Sequence, residues 1–139
     1  MSDDMLIDTL RAELAAGRVV PFLGPGLLAL CVDGSAVPAS PLELVGVMTK
    51  KVSVPHKLKN KLPGAAQYIE NFKHRKTLVG LMNEAFAAPP KPSPLHESLA
   101  GFGFPLIVDA WYDDAMATEK LAEGIRAFAE KRQPAWKQD

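Results

Sequence analysis

The chain has 139 residues, 47% hydrophobic and 23% charged, enough to bury a core and sized for a single domain, and its 16 basic and 16 acidic residues cancel. Neutrality excludes capture of nucleic acid or anionic membrane by the field of the whole molecule, so such a partner would have to be met by a local patch. No apolar run reaches the roughly 18 residues of a membrane span, and Ser2-Asp3-Asp4 is not how a signal peptide begins, so a cytoplasmic protein is expected.

Asp3 and Asp4 stand at the positive end of a helix whose one face carries Met5, Leu6, Ile7, Leu10 and Leu14, and Gly17 stops it. This amphipathic helix is expected to pack beside the strand that follows, over 19–23. There Val19, Val20, Phe22 and Leu23 surround Pro21, and the chain then enters the glycine turn Gly24-Pro25-Gly26. Glycines permit torsions and close approaches that a side chain forbids, and strand, glycine turn and helix start is how nucleotide folds aim free N–H groups at an anion. A lone Gly-x-Gly also ends many ordinary strands. The run 27–32 is too short for periodicity to decide between helix and strand, and Asp33-Gly34 closes it as a turn. Within it the single Cys31 excludes an internal disulfide or a four-cysteine zinc site and reads as a small buried apolar residue.

Ser40-Pro41-Leu42-Glu43 has the spacing of a capping box with proline at the first helical position, which predicts a helix over Pro41–Lys51. Five lysines and His56, with no acid, lie between Lys50 and Lys61, and read as a solvated loop or an anion-binding patch. Ala65, Tyr68, Ile69 and Phe72 mark one helix and Leu78, Leu81, Met82, Ala85 and Phe86 another. The basic cluster Lys73-His74-Arg75-Lys76 separates them into a hairpin or a kinked helix. Four prolines over 89–94 form a stiff connector, and a short helix around Leu95, Ser98 and Leu99 follows, with His96 near its start. A second buried strand is predicted over 104–108, running into Asp109-Ala110-Trp111-Tyr112-Asp113-Asp114. Acids at the carboxyl end of a strand could bind a metal or act as a general base, or one of them could simply cap the last helix. That helix is predicted over 114–131, with Leu121, Ile125 and Phe128 on one face, and 132–139 form a frayed tail. Two strands separated by mainly helical sequence predict an α/β fold with a small parallel sheet flanked by helices, a sheet that needs 27–32, another subunit or further sequence to complete it.

Taken in order, Ala16-Gly17-Arg18-Val19-Val20-Pro21-Phe22-Leu23-Gly24-Pro25-Gly26, Ala65-Ala66-Gln67-Tyr68, Pro94-Leu95-His96, Phe104-Pro105-Leu106-Ile107-Val108 and Tyr112-Asp113 resemble the N-terminal half of bacterial SIR2-like domains. The resemblance covers residues 10–115. It implies a truncated Rossmann-like domain over 1–131, with NAD or ADP-ribose as cofactor, in a family of protein deacylases and anti-phage NAD hydrolases. The implied cofactor-binding residues are Gly24, Pro25, Gly26, Leu27, Trp111 and Asp113, with Tyr112 and Asp113 the catalytic candidates and no metal site.

The match departs from the family where the chemistry sits. The family's Gly-Ala-Gly-x-Ser turn falls on Gly24, Pro25, Gly26, Leu27 and Leu28, so an N–H and a hydroxyl are lost. The asparagine that positions the nicotinamide ribose and the attacking water falls on Trp111. The basic histidine is expected downstream, whereas His56, His74 and His96 all come earlier. A shortened, non-catalytic binding or regulatory module is therefore expected, a pseudoenzyme that assembles with itself or with a larger protein partner. The alternatives are an NAD-consuming enzyme completed by another chain, and an anion- or nucleic-acid-contacting module using the lysines.

Overall fold

The computed structural model describes residues 2–31 and 33–117. The chain gathers into two compact units, one built on the residues up to Gly24 together with Pro94–Trp111, the other on Pro25–Ser93 with Tyr112–Ala115. The predicted last helix, with Leu121, Ile125 and Phe128, lies outside the described residues. The described part is helix-rich α/β, with a two-stranded parallel sheet in the first unit.

In that first unit, helix α1 (Asp3–Ala15) starts on two aspartates and ends as the sequence predicts. Gly17 takes φ +67°, its N–H reaches the Leu14 carbonyl at 3.1 Å, and the Arg18 N–H reaches the Glu13 carbonyl at 3.0 Å. Two helix-end carbonyls are thereby satisfied by one left-handed residue. The Arg18 guanidinium adds two 2.7 Å bonds to the Glu13 carboxylate, which hold that carboxyl below its ordinary range. The expected packing of α1 beside the strand is not found. Leu6 and Leu10 remain 57% and 49% exposed, and no residue of the helix is buried, because no described element of its unit covers the stripe.

The predicted strands shrink to β1 (Phe22–Leu23) and β2 (Val108–Asp109), paired in parallel with Phe22 opposite Val108 and Leu23 opposite Asp109. Val108 N donates to the Pro21 carbonyl and Ala110 N to the Leu23 carbonyl, both at 2.9 Å. Pro21 and Pro105 have no N–H to extend the ladder, and each strand has a single neighbour among the described residues. Both runs are too apolar to be expected with a wet face, yet of β1 only Leu23 is buried, while Phe22 is 73% exposed. Helix α5 (Pro94–Gly101) lies in the same unit, so Pro94 opens a helix rather than ending the connector. Gly103 at φ +71° then turns the chain and brings the rings of Phe102 and Phe104 into a stack 5.4 Å apart.

The second unit contains the core. Helix α2 (Pro41–Lys51) starts where the capping box predicts: Ser40 Oγ accepts the Glu43 N–H at 3.1 Å, while Glu43 Oε2 reaches past the cap to accept the Ala39 N–H at 2.9 Å. Its Leu44, Val45 and Met48 are fully buried, and α3 (Leu62–Lys73) and α4 (Arg75–Ala85) pack against it and against each other. The two helices form a hairpin broken at one residue, His74, whose φ of 71° and ψ of 146° stop α3 and start α4. A Cβ at Gly64 would lie 3.0 Å from Leu58 Cδ2 of the 3₁₀ turn His56–Leu58, so any side chain there needs that methyl to give way. Of the run 27–32, residues 27–30 lie in the 3₁₀ helix Pro25–Leu30, with Leu28 inside, and do not join the sheet; Val32 lies outside the described residues.

Candidate functional site

Because β1 and β2 are parallel, their carboxyl ends lie side by side within the first unit. Gly24 leaves one end, and Asp109, Ala110 and Trp111 leave the other. Asp109 Oδ1 accepts the Trp111 N–H at 3.0 Å, a local turn that fixes the chain as it exits the strand. Open parallel sheets bind ligands outside the carboxyl ends of their strands, at the point where strand order reverses; the two strands here place two such ends side by side.

Pro25, Gly26 and Leu27 open the second unit as the first residues of the 3₁₀ helix. The first N–H groups of such a segment have no partner within it, and Pro25 has none to offer, so the turn's donors reduce to those of Gly26 and Leu27. Neither Gly24 nor Gly26 takes a positive φ, and a Cβ at either would meet nothing within 4 Å. Leu28, which stands where the resemblance puts a serine, is 1% exposed, its side chain spent on the core.

Tyr112 and Asp113 belong to the second unit. Tyr112 is 59% exposed, with its ring 5.8 Å from that of Phe86, and the two line a hollow of about 480 Å³ with Met82 and Asn83. Asp113 Oδ1 accepts the Ala115 N–H at 2.9 Å, capping the turn Ala115–Ala117. Its carboxylate thus serves a backbone N–H of that turn; the last helix that an acid was expected to cap lies outside the described residues. Burial pushes the Cys31 thiol up, and the Asp113 charge adds to the effect, so the sulfur is held as a neutral thiol. No group of three or more acids, histidines and cysteines that could hold a metal occurs among the described residues.

His96 occupies the third position of α5 and is 1% exposed. Lys57, Lys59 and Lys61 are exposed around the His56–Leu58 turn, and Arg75 of the second basic cluster is paired with Glu70 at 2.8 Å. None of the helices among the described residues is long and apolar enough to cross a membrane.

Over 31 residues, 22% of its length, the chain is 55% identical to a mevalonyl-coenzyme A hydratase from Aspergillus fumigatus, and this stretch spans 12% of that protein. No family model matches the chain, and no solved structure does.

Proposed function

We propose that this chain is a shortened, Rossmann-like SIR2 domain that has lost catalysis and works as a binding or regulatory module, holding NAD or ADP-ribose weakly or not at all. The observation that carries the reading is the parallel pair, whose adjacent strand exits carry Gly24 on one side and Asp109 to Trp111 on the other. Burial of Leu28 supports loss of the phosphate-binding hydroxyl, and Trp111 supports loss of the asparagine that would orient water. Each hydrogen bond to a charged group is worth about 1.5–3 kcal/mol, so the missing N–H and hydroxyl together remove about 3–6 kcal/mol of phosphate affinity. Calorimetry with ADP-ribose and with NAD tests this: dissociation constants weaker than about 0.1 mM are expected. Micromolar binding, or nicotinamide release from NAD that disappears in Asp113→Ala, would replace it with the reading of an NAD-consuming enzyme.

The module works with a partner, either a second copy or a larger protein. The exposed Leu6, Ile7 and Leu10 along one face of α1 support this, since an amphipathic helix face left uncovered commonly marks an interface. Light scattering at micromolar concentration is expected to give a mass above 15.0 kDa or to show a stable complex with a host protein. A monodisperse 15.0 kDa species that binds no apolar dye would refute it.

A further inference from the structure

Within the second unit a groove of about 570 Å³ runs between α2 and α4 under the loop 35–38. On α2 it is lined by Glu43, Gly46, Val47 and Lys50, spaced as one helical face, and on α4 by Leu81, Glu84 and Ala85. The opposite face of α2, Leu44, Val45 and Met48, is spent on the core, so the groove side is a separate surface with a separate chemistry. Its floor is aliphatic, and its size lies within the range of small-molecule sites.

The charges at its edge are unequally committed. Lys51 and Glu84 pair with each other across the groove, and Glu43 accepts the Ala39 N–H at the start of α2. Lys50 has no carboxylate partner among the described residues. Seven residues separate Glu43 from Lys50, about 10 Å along the helix axis, so one end of the groove is anionic and the other cationic. Gly46 lies between them. A glycine inside a helix is unfavourable by about 1 kcal/mol relative to alanine, and here no packing inside the protein calls for it, since a Cβ would meet nothing within 4 Å. The open volume above Gly46 is therefore part of the groove.

We propose that this groove binds a small amphiphilic monocarboxylate, its hydrocarbon body lying over Gly46 between Val47 and Ala85 and its carboxylate on the Lys50 ammonium. Glu43 at the far end selects against a second carboxylate. The ligand is bound and released without chemical change, so the groove makes the chain responsive to short acyl acids independently of the strand exits.

The test is a titration of the full chain with octanoate, followed by amide chemical shifts. Saturable shifts on Gly46, Val47 and Ala85 are expected, with a dissociation constant of about 1 mM or tighter. Lys50→Ala should weaken octanoate binding by about tenfold while leaving octanol unaffected, and the matching dicarboxylate should bind more weakly than octanoate. Gly46→Leu fills the groove and, by helix propensity, leaves the fold at least as stable; it should abolish the shifts while thermal unfolding shows an intact protein. Absence of saturable shifts up to about 10 mM octanoate overturns the proposal. So does undiminished binding in Gly46→Leu, and so does octylamine binding as well as octanoate.

Discussion

Placing a serine at Leu28, where the proposed SIR2 likeness would put one, separates a core position from a ligand position. Leu28 is 1% exposed within the 3₁₀ helix Pro25–Leu30, so Leu28→Ser removes a buried isobutyl group and leaves a hydroxyl in its place. Large-to-small changes of this kind cost about 2–5 kcal/mol, through lost transfer energy and the cavity left behind. A hydroxyl without a partner adds about 1–3 kcal/mol. Against a total of about 5–15 kcal/mol for a domain, the variant should be severely destabilised. With a urea slope of about 1–3 kcal/mol per molar, its unfolding midpoint should fall by about 1 M or more. Urea titrations followed by far-ultraviolet circular dichroism measure this directly, and ADP-ribose calorimetry on the same sample supplies the functional arm. A loss below about 1 kcal/mol accompanied by new ADP-ribose binding would show that position 28 faces a ligand and that the burial argument is wrong.

Ser40→Ala removes the acceptor of the Glu43 N–H and should cost about 1 kcal/mol, read as a lower thermal midpoint; no change would mean the cap is dispensable. His74→Gly should raise stability by about 1 kcal/mol, because φ 71° with ψ 146° is a region that side chains rarely enter, and a loss would show that the imidazole contributes more than the strain costs. Replacing Lys57, Lys59 and Lys61 by Glu should leave binding to single-stranded DNA negligible at 0.15 M salt, since interactions beyond about 8 Å are screened there and the neutral chain adds no long-range attraction to a short patch; salt-sensitive, sub-micromolar binding that the variant loses would restore the nucleic-acid reading. Gly24→Ala and Gly26→Ala should each be neutral or stabilising by up to about 1 kcal/mol in thermal unfolding, and a clear destabilisation would contradict the open surroundings of both positions.

The features legible in the sequence are those whose physics is local. Ser40 to Glu43 places its own hydrogen bonds, and Gly17 has the one side chain, none, that suits a left-handed helix end. The break between α3 and α4 was visible as an interruption of two apolar patterns by 73–76, although nothing short of coordinates assigns it to His74 alone. Periodicity finds a face and is silent on what covers it, which is why it predicts α1 as a helix and not the exposure of its apolar stripe. The strands were read as long because apolar runs do not reveal how many neighbours a strand has, and Pro21 and Pro105 limit a ladder only once a partner is known. The parallel pairing behind the candidate site was legible, whereas the commitment of Leu28 to the core was not. The groove between α2 and α4 went unread, although Glu43, Gly46, Val47 and Lys50 fall at helical spacing on the side of α2 away from Leu44, Val45 and Met48.

The glycines sharpen what a motif can mean. Gly17 is favoured by a φ of +67°, and at Gly64 a Cβ would press on the Leu58 methyl at 3.0 Å, so each glycine has a use inside the fold. Gly24 and Gly26, the pair that gave the chain its nucleotide-like turn, are demanded by neither torsion nor crowding. Glycine at such positions makes the unfolded chain harder to order and gives the folded chain no compensating contact. One use that glycine would have there is to let something outside the chain approach the backbone N–H groups of Gly26 and Leu27. If alanine at both positions stabilises the protein and leaves its behaviour towards ADP-ribose, NAD and every protein partner unchanged, the turn is a remnant. If it stabilises the protein and removes an interaction, the two glycines mark the surface through which the module works, and stability and function are opposed at the same two residues.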